Sequence, residues 1–283
     1  MKLLPECYLC AMRQALAAAR LVGGDEDFQH EVMTRTAGLL SLASRDMSPP
    51  EGGEQFYRMI RERSGSPDPF REMKKKQNEV VEELLPWLRE TVAAAEDPLL
   101  MAVRLAIAGN AVDPGARESF DLEKSVMEAV EGEAGLEAYT AFAERLVAAK
   151  LVLVIGDNCG EIVFDRVLIE TMLARYDIEV VLAVRGGPII NDVTMVEAEE
   201  LGLGEICTLI STGLEMPGTL LERATSEFQD AFKKADLVIA KGQGNWETLE
   251  DSDREVFFLF QAKCPAAAAV IGCRELQPLM VLS

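Results

Sequence analysis

Residues 151–161 read Leu151-Val152-Leu153-Val154-Ile155-Gly156-Asp157-Asn158-Cys159-Gly160-Glu161. The first five form a continuous apolar run rich in β-branched side chains, which is typical of a strand buried on both faces of a parallel sheet. A glycine and polar residues follow directly, and a helical pattern of apolar residues covers 162–176. The stretch therefore predicts a buried strand, a polar loop and a helix in succession.

The same succession recurs through the second half of the chain. Apolar runs with the length and composition of strands lie at 178–184, 205–210, 236–240 and 256–260, and 280–282 resembles a short final strand. Helical patterns at 194–201 and 219–234 separate some of these runs. Alternation of strands and helices at this spacing predicts a doubly wound, mainly parallel sheet.

The first half of the chain has a different pattern. Apolar residues recur at helical spacing from the first segment onward, as in Leu9, Met12 and Leu16. Pro49-Pro50 is expected to break the chain, and Pro86 to kink or divide a later helix. We therefore predict a helical N-terminal region at 1–145 and an α/β domain at 146–283.

Composition and charge narrow the possible partners. The 283-residue chain has a net charge of −20, which argues against nucleic acid and anionic membrane surfaces as ligands. No apolar run reaches the roughly 18–20 residues that span a bilayer, and the start lacks a signal-like region, so we predict a cytoplasmic protein. His30 is the single histidine, which nearly excludes Ser–His and Cys–His triads and zinc sites built on several imidazoles.

Two acidic clusters follow the first two predicted strands. Asp157-Asn158 come after the first strand and Asn191-Asp192 after the second. Ligands of open α/β sheets bind at the carboxyl ends of the strands, and carboxylate and amide oxygens suit Mg²⁺ or Mn²⁺. Gly160-Glu161 lead into a helix whose free N–H groups favour an anion. The alternative for each acidic cluster is a simple helix cap.

Two more polar clusters follow the next two strands. Ser211-Thr212-Gly213 suit contact with phosphate or sugar, and a plain turn is the alternative. Lys241-Gly242-Gln243-Gly244-Asn245 place a cation and two glycines at the end of a buried strand, which suits phosphate. The chain contains neither a G-x-x-x-x-G-K-[ST] loop nor a G-x-G-x-x-G after the first strand, so a dinucleotide site is poorly supported.

Two features lie outside the predicted sheet. Asn110 ends an apolar helix, where an ordinary helix cap is the alternative to a functional role. Cys7-x-x-Cys10 could be half of a metal site or a redox pair, but the chain has no second C-x-x-C.

Taken together, the motifs resemble those of the damage-control metal-dependent phosphatases, long known as domain of unknown function 89, and most closely the stand-alone prokaryotic branch with an N-terminal C-x-x-C. The matching stretches occur in family order: Pro5-Glu6-Cys7-Tyr8-Leu9-Cys10, Gly109-Asn110-x-x-Asp113, Gly156 to Asp165, Pro188 to Thr194, Lys241-Gly242-Gln243-Gly244-Asn245-x-Glu247 and Ala262-Lys263-Cys264-Pro265.

The resemblance implies a helical part packed on a Rossmann-like α/β/α domain. It implies a divalent metal (magnesium, manganese, cobalt or nickel) held by Asp157, Asn158 and Asp192, with Asn110 and Lys241 on the substrate phosphate. The final segment of this chain, residues 266–279, departs from the smooth apolar helix expected of the family, and this departure puts the last strand in doubt. The predicted catalytic residues are Asp157, Asp192 and Lys241, and the predicted substrate contacts are Asn110, Gly160, Glu161, Ser211, Thr212 and Lys241.

Residues and resemblance together predict a metal-dependent phosphatase that acts on phosphate monoesters of small metabolites. Attack by water and a phosphoaspartyl intermediate at Asp157 both remain open. One alternative is an S-adenosylmethionine-dependent carboxyl methyltransferase, for which Cys159-Gly160 would be a thin version of the cofactor loop. Another is a non-enzymatic metabolite-binding or redox module that uses Cys7 and Cys10.

Overall fold

The computed structural model describes residues 1–111, 119–132 and 134–283. Asp113, part of the Gly109-Asn110-x-x-Asp113 match, lies outside the described residues. No helix within the described ranges is long and apolar enough to cross a membrane.

One mainly parallel sheet organises the second half of the chain. Its order is β3-β2-β1-β4-β5-β6, and the strands are β1 (Leu151–Ile155), β2 (Glu179–Val184), β3 (Thr208–Ser211), β4 (Leu237–Lys241), β5 (Phe257–Gln261) and β6 (Pro278–Leu282). The first five pair in parallel, and β6 runs antiparallel to β5. The order reverses between β1 and β4, and the carboxyl end of such a switch point is where open α/β sheets bind ligands.

Helices occupy most of the first half and connect the strands of the second. The first half contains α1 (Pro5–Leu21), α2 (Glu26–Ser41), α3 (Pro49–Ser64), α4 (Arg71–Glu82), α5 (Leu85–Ala94), α6 (Pro98–Ala111), α7 (Ser119–Glu131) and α8 (Tyr139–Ala148). The sheet is connected by α9 (Glu161–Arg175), α10 (Met195–Glu200), α11 (Ser226–Lys234), α12 (Gln243–Leu249) and α13 (Pro265–Ile271). The predicted α/β fold with a doubly wound sheet is confirmed.

Helices cover both faces of the sheet. On one face, α5 to α9 share a hydrophobic core with the strands, and α6 lies at its centre with Ala102, Val103 and Ala106 fully buried. On the other face, α11, α12 and α13 pack through Phe228, Trp246 and Ala267. A helix that is apolar on all sides, as α6 is, becomes a buried element. Its last turn therefore delivers Asn110 to the edge of the sheet.

The first three helices form a small cap with a core of its own. Ala15, Val32 and Ile60 are buried in it, and Ile189 from the loop after β2 packs into the same cluster. The helical character predicted for 1–145 is thus shared between a cap, α1 to α3, and helices that belong to the core of the sheet. The contact through Ile189 places the cap over the loop that carries Asp192.

Two local predictions differ from the structure. Pro49 does not break the chain but begins α3, where a proline needs no N–H partner and Ser48 with Glu51 forms a capping box. The helix predicted from Thr219 begins only at Ser226, because the backbone N–H of Thr219 donates to Thr248 and its hydroxyl to Asn245. The glycine-rich stretch from Gln243 is helical, as α12.

The segment after Ala266 forms a helix and a final strand, although its sequence departs from the expected pattern. α13 ends at Gly272, which has a φ of 82° and so supplies the left-handed residue that closes a helix. The strand β6 then runs from Pro278 and pairs with β5 along its length. The doubtful final strand is therefore present and longer than predicted.

A buried ion network joins α4 to α10, just beyond the Asp192 loop. The ammonium of Lys74 lies 2.6 Å from Asp68 and 2.8 Å from Glu197, and Arg71 lies 2.7 Å from the same glutamate. Glu197 also accepts hydrogen bonds from the backbone and hydroxyl of Thr194. Burial alone would raise the pKa of Glu197, but these partners lower it to about 2.

Replacing Glu197 with glutamine is expected to lower the free energy of unfolding at pH 7 by about 3 kcal/mol. Because the folded pKa lies below the usual 4.5, this contribution is present above about pH 5 and is lost as the pH falls towards 2. Urea unfolding at pH 7 and pH 3 measures it, and the deficit of the variant should shrink at pH 3. Glu200→Gln is the matched control, since Glu200 also contacts Arg71 but is half exposed. Equal losses of unfolding free energy in Glu197→Gln and Glu200→Gln would contradict a stabilising role for the buried Glu197.

Candidate active site

The loops after β1 and β2 are tied together by backbone hydrogen bonds. Asn158 and Asp192 form an antiparallel bridge, the N–H of Cys159 donates to Asn191 at 2.8 Å, and the N–H of Val193 donates to Asp157 at 2.8 Å. These bonds bring the predicted metal ligands to one place at the carboxyl edge, close to the switch point. Parallel strands put successive loops on the same edge, and the bridge fixes their mutual register.

Arg185, at the end of β2, lies buried beneath both carboxylates. Its Nε is 2.7 Å from Asp192 Oδ2, and its terminal nitrogen is 3.4 Å from Asp157 Oδ1. Its other terminal nitrogen donates to the Gly218 carbonyl, the Thr219 hydroxyl and the Asn245 side-chain oxygen. The sequence prediction missed Arg185. A buried cation at a strand end was the available signal, the same one that singled out Lys241.

A second buried group lies behind the first loop. The ammonium of Lys241 is 2.6 Å from Glu161 Oε1, 2.7 Å from Asp165 Oδ1 and 2.8 Å from the Ala106 carbonyl oxygen. Lys241 donates hydrogen bonds to Glu161 and Ala106 and is ion-paired with Asp165. Lys241 is fully buried. In this position one positive charge lies between two carboxylates behind the predicted metal site.

Asn110 connects this group to Asp157. Its Nδ2 donates to Glu161 at 2.7 Å and to Asp157 at 3.4 Å, and its Oδ1 accepts from the backbone N–H of Gln261 at 3.4 Å. The prediction that Asn110 belongs to the site agrees with its position. Its amide is, however, engaged on both sides with protein groups, so its substrate contact stays a prediction.

The buried charges of the site are out of balance. Four carboxylates, Asp157, Asp192, Glu161 and Asp165, are paired with two cations, Arg185 and Lys241, so two carboxylates would lack a cation if all four were ionised. Burial and the neighbouring carboxylates Asp192 and Glu161 raise the pKa of Asp157, and burial also raises the pKa of Asp192. A divalent cation would restore the balance.

The donor set fits a hard divalent cation. Asp157, Asn158 and Asp192 offer two carboxylates and an amide oxygen, the ligand types that Mg²⁺ and Mn²⁺ take. Among the described residues, no group of three or more His, Cys, Asp or Glu side chains is arranged to hold a metal ion. The candidate site therefore depends on the asparagine as its third protein ligand.

Gly242 makes room for this arrangement. Its φ is 79°, and a Cβ at this position would lie 1.9 Å from Asp157 Oδ2. Any side chain at 242 would strike the carboxylate, so the glycine after β4 serves close approach to Asp157.

A cavity of about 590 Å³ opens in front of Asp157, Asn158 and Asp192. The cap contributes Arg13, Gln14 and Tyr57 to its lining, and the sheet contributes Lys263. Its size suits a small metabolite.

Lys263 is a cavity-lining residue to which the sequence prediction gave no role. Burial raises the pKa of Asp157 and Asp192, whereas the pKa of Glu161 is lowered because the charges of Lys241 and Lys263 and its hydrogen bonds outweigh burial. The charge of Lys263 acts to lower the pKa of all three carboxyls. Lys263 is exposed and lines the cavity, whereas Lys241 is buried behind it. Its stretch, Ala262-Lys263-Cys264-Pro265, carried part of the family resemblance, which was the signal available.

The remaining predicted contacts do not line the cavity. Ser211 and Thr212 accept local hydrogen bonds from Gly213 and Leu214, as in a plain turn, because β3 is the edge strand and lies away from the switch point. The N–H of Gly160 donates to Asn78 Oδ1 at 2.6 Å, so α4 already uses it.

The predicted cysteine pair lies at the cavity. Cys7 and Cys10, on α1, line it together with Cys264. All three are free thiols. Burial raises the pKa of Cys7 and Cys10, which favours the neutral thiol. A redox role stays a prediction.

Comparison with known proteins identifies the family of this chain. The family model of the damage-control phosphatase ARMT1-like domain matches residues 3–278. This chain belongs to that family. Individual proteins are also similar to this chain over nearly their whole length. An uncharacterized protein of Methanocaldococcus jannaschii is 34% identical, and the match covers 96% of this chain and 92% of that protein.

Two relatives carry the family name. A damage-control phosphatase of Pyrococcus horikoshii is 34% identical over 95% of this chain and 93% of its own length. One of Archaeoglobus fulgidus is 30% identical over 96% of both. The crystal structure of a DUF89 family protein from P. horikoshii superposes with a TM-score of 0.92 at 32% identity and covers 99% of each chain.

Proposed function

We propose that this protein is a metal-dependent phosphatase that hydrolyses phosphate monoesters of small metabolites. The observation that carries the proposal is a group of four buried carboxylates paired with only two cations, of which Asp157 and Asp192 lie with Asn158 at the floor of a cavity that also presents Lys263. An anionic floor with an exposed cation beside it can bind a divalent ion and a phosphate together. Membership of the damage-control phosphatase family and the names of its relatives support the same function.

The proposed substrates are sugar phosphates or damaged phosphorylated metabolites. A cavity of about 590 Å³ accommodates a ligand of that size, and the polar side chains of Arg13 and Gln14 face it from the cap. The proposed ions are magnesium, manganese, cobalt and nickel, since oxygen donors accept each of them.

In the proposed mechanism, Asp157, Asn158 and Asp192 hold the ion. A divalent ion supplies Lewis-acid polarisation of the phosphoryl group and activation of a water molecule. Lys263 neutralises negative charge on the phosphoryl oxygens as it develops. Asp157 and Asp192 are the carboxylates that could orient the attacking water. Arg185, which lies beneath both, keeps them at a fixed separation.

Removing divalent ions is the direct test. Treatment with EDTA is expected to reduce phosphate release from p-nitrophenyl phosphate and from a panel of sugar phosphates to background, and adding Mn²⁺, Co²⁺, Ni²⁺ or Mg²⁺ back to restore it. The ion should also raise the thermal unfolding midpoint by about 5 °C at saturating concentration, because it binds only the folded site.

The same purified protein distinguishes the phosphatase from the two alternative functions. Calorimetry with S-adenosylmethionine should show no binding if the proposal holds. Binding of that cofactor without metal-dependent phosphate release would favour the methyltransferase. A thiol-dependent binding response without any turnover would favour the redox or metabolite-binding module.

A further inference from the structure

Glu161 accepts hydrogen bonds from three polar side chains around the first loop. Its Oε1 accepts from Lys241, and its Oε2 accepts from Asn110 at 2.7 Å and from Asn158 at 3.1 Å. We propose that Glu161 is a positioning residue that turns the amide of Asn158 so that its oxygen, not its NH₂ group, faces the metal site. This inference rests on the proposed function.

The orientation of the Asn158 amide matters because its two ends differ chemically. Only the carbonyl oxygen can bind a cation, and the NH₂ group would repel it. The Nδ2 atom of Asn158 lies 2.6 Å from Asp157 Oδ2 and 3.1 Å from Glu161 Oε2. Both amide hydrogens therefore have carboxylate acceptors, which commits Nδ2 to that side and leaves Oδ1 on the other.

Glu161 can impose this orientation because it is itself held. Lys241 donates hydrogen bonds to Glu161 and the Ala106 carbonyl and is ion-paired with Asp165, and an ammonium group can only donate. The atom of residue 161 that faces Lys241 must therefore be an acceptor. Glu161 and Asp165 are both buried to within 2% of full burial.

A glutamine at 161 would reverse the orientation. Its single oxygen must stay with Lys241, so its NH₂ group would face the NH₂ groups of Asn110 and Asn158. Asn158 would relieve the donor–donor contact by turning its oxygen towards residue 161 and away from the metal, at the cost of its hydrogen bond to Asp157. The fold should survive, because Lys241 keeps Asp165 as a partner.

The competing explanation is that Glu161 simply adds negative charge that attracts the cation. Asn158→Asp separates the two explanations, because a carboxylate presents an oxygen on both sides and needs no orientation. A charge effect would persist in that background, and an orientation effect would disappear.

The test measures Mn²⁺ affinity by calorimetry, with Mn²⁺ alone as the ligand. The proteins are the unaltered chain, Glu161→Gln, Asn158→Asp and the double variant. We expect Glu161→Gln to weaken Mn²⁺ binding at least tenfold in the unaltered background. In the Asn158→Asp background it should change the affinity less than threefold or strengthen it. Equal weakening in both backgrounds would overturn the inference.

A second variant provides a rescue. Combining Glu161→Gln with Lys241→Met removes the ammonium that fixes the glutamine oxygen, so the glutamine can turn its oxygen to Asn158. Mn²⁺ affinity should return to within threefold of the unaltered chain, although one more charged group is gone. Affinity tenfold weaker in this double variant would overturn the inference. No Mn²⁺ binding by the unaltered chain would instead remove the proposed function, and this inference with it.

Discussion

Asp192→Ala is expected to lower kcat/KM for metal-dependent phosphate release by about 1,000-fold or more, because a lost ligand removes several kcal/mol of charge stabilisation. Asp192 contributes one of the two carboxylates on the cavity floor, and its Oδ2 binds the buried Arg185. Without Asp192, the positive charge of Arg185 beside the ion site is balanced by Asp157 alone. Both changes lower the affinity of the site for a cation.

Phosphate release from a generic ester, measured across Mn²⁺ concentrations, checks this expectation. Asp177→Ala is the matched control, because Asp177 is a fully exposed carboxylate at the opposite end of β2, paired with Lys150. That control should keep its activity. Full activity of purified, metal-supplemented Asp192→Ala protein would sink the proposed function.

Lys263→Met is expected to lower kcat/KM by about 100-fold, the usual cost of removing one group that stabilises developing negative charge. Much of this loss should appear as a higher KM for the phosphate ester, because Lys263 lines the cavity. Mn²⁺ affinity should stay the same or rise, since a cation is removed from beside Asp157 and Asp192. Lys150→Met, at an exposed ion pair, is the control and should change none of these values.

Lys241→Met should behave differently, although the sequence prediction placed Lys241 on the phosphate. It would leave Glu161 and Asp165 buried without their cation, which costs about 3–5 kcal/mol of stability. Comparison of KM, Mn²⁺ affinity and urea unfolding for the two lysine variants distinguishes the roles. If the Lys241→Met protein were stable with a raised KM, and the KM of Lys263→Met were unchanged, the phosphate contact would be assigned to Lys241 instead.

The cap above the cavity is where substrate choice would be made. Tyr57 and Gln14 line it from α3 and α1, and the tyrosine hydroxyl donates to the glutamine side-chain oxygen at 3.3 Å. The contact between Ile189 and the cap core links these helices to the loop that carries Asp192. A substrate held by its phosphate at Lys263 would therefore meet the cap with its remaining part.

The sequence by itself determined the order of strands and helices along the chain. That order also determined the edge of the sheet at which the site would lie. Strands such as 151–155 were recognisable because a strand buried on both faces is continuously apolar. Parallel strands then place every following loop on one edge, so Asp157, Asn158 and Asp192 could be grouped without coordinates.

Only the tertiary structure decided which polar residues face the cavity and which support it from behind. Lys241 ends β4 and Lys263 follows β5, yet one is buried against Glu161 and Asp165 and the other is exposed. Ser211 ends β3 and Thr212 follows it, but β3 lies at the edge of the sheet. The physical reason is that an ion pair depends on distances between residues far apart in the chain, which local pattern and spacing do not contain.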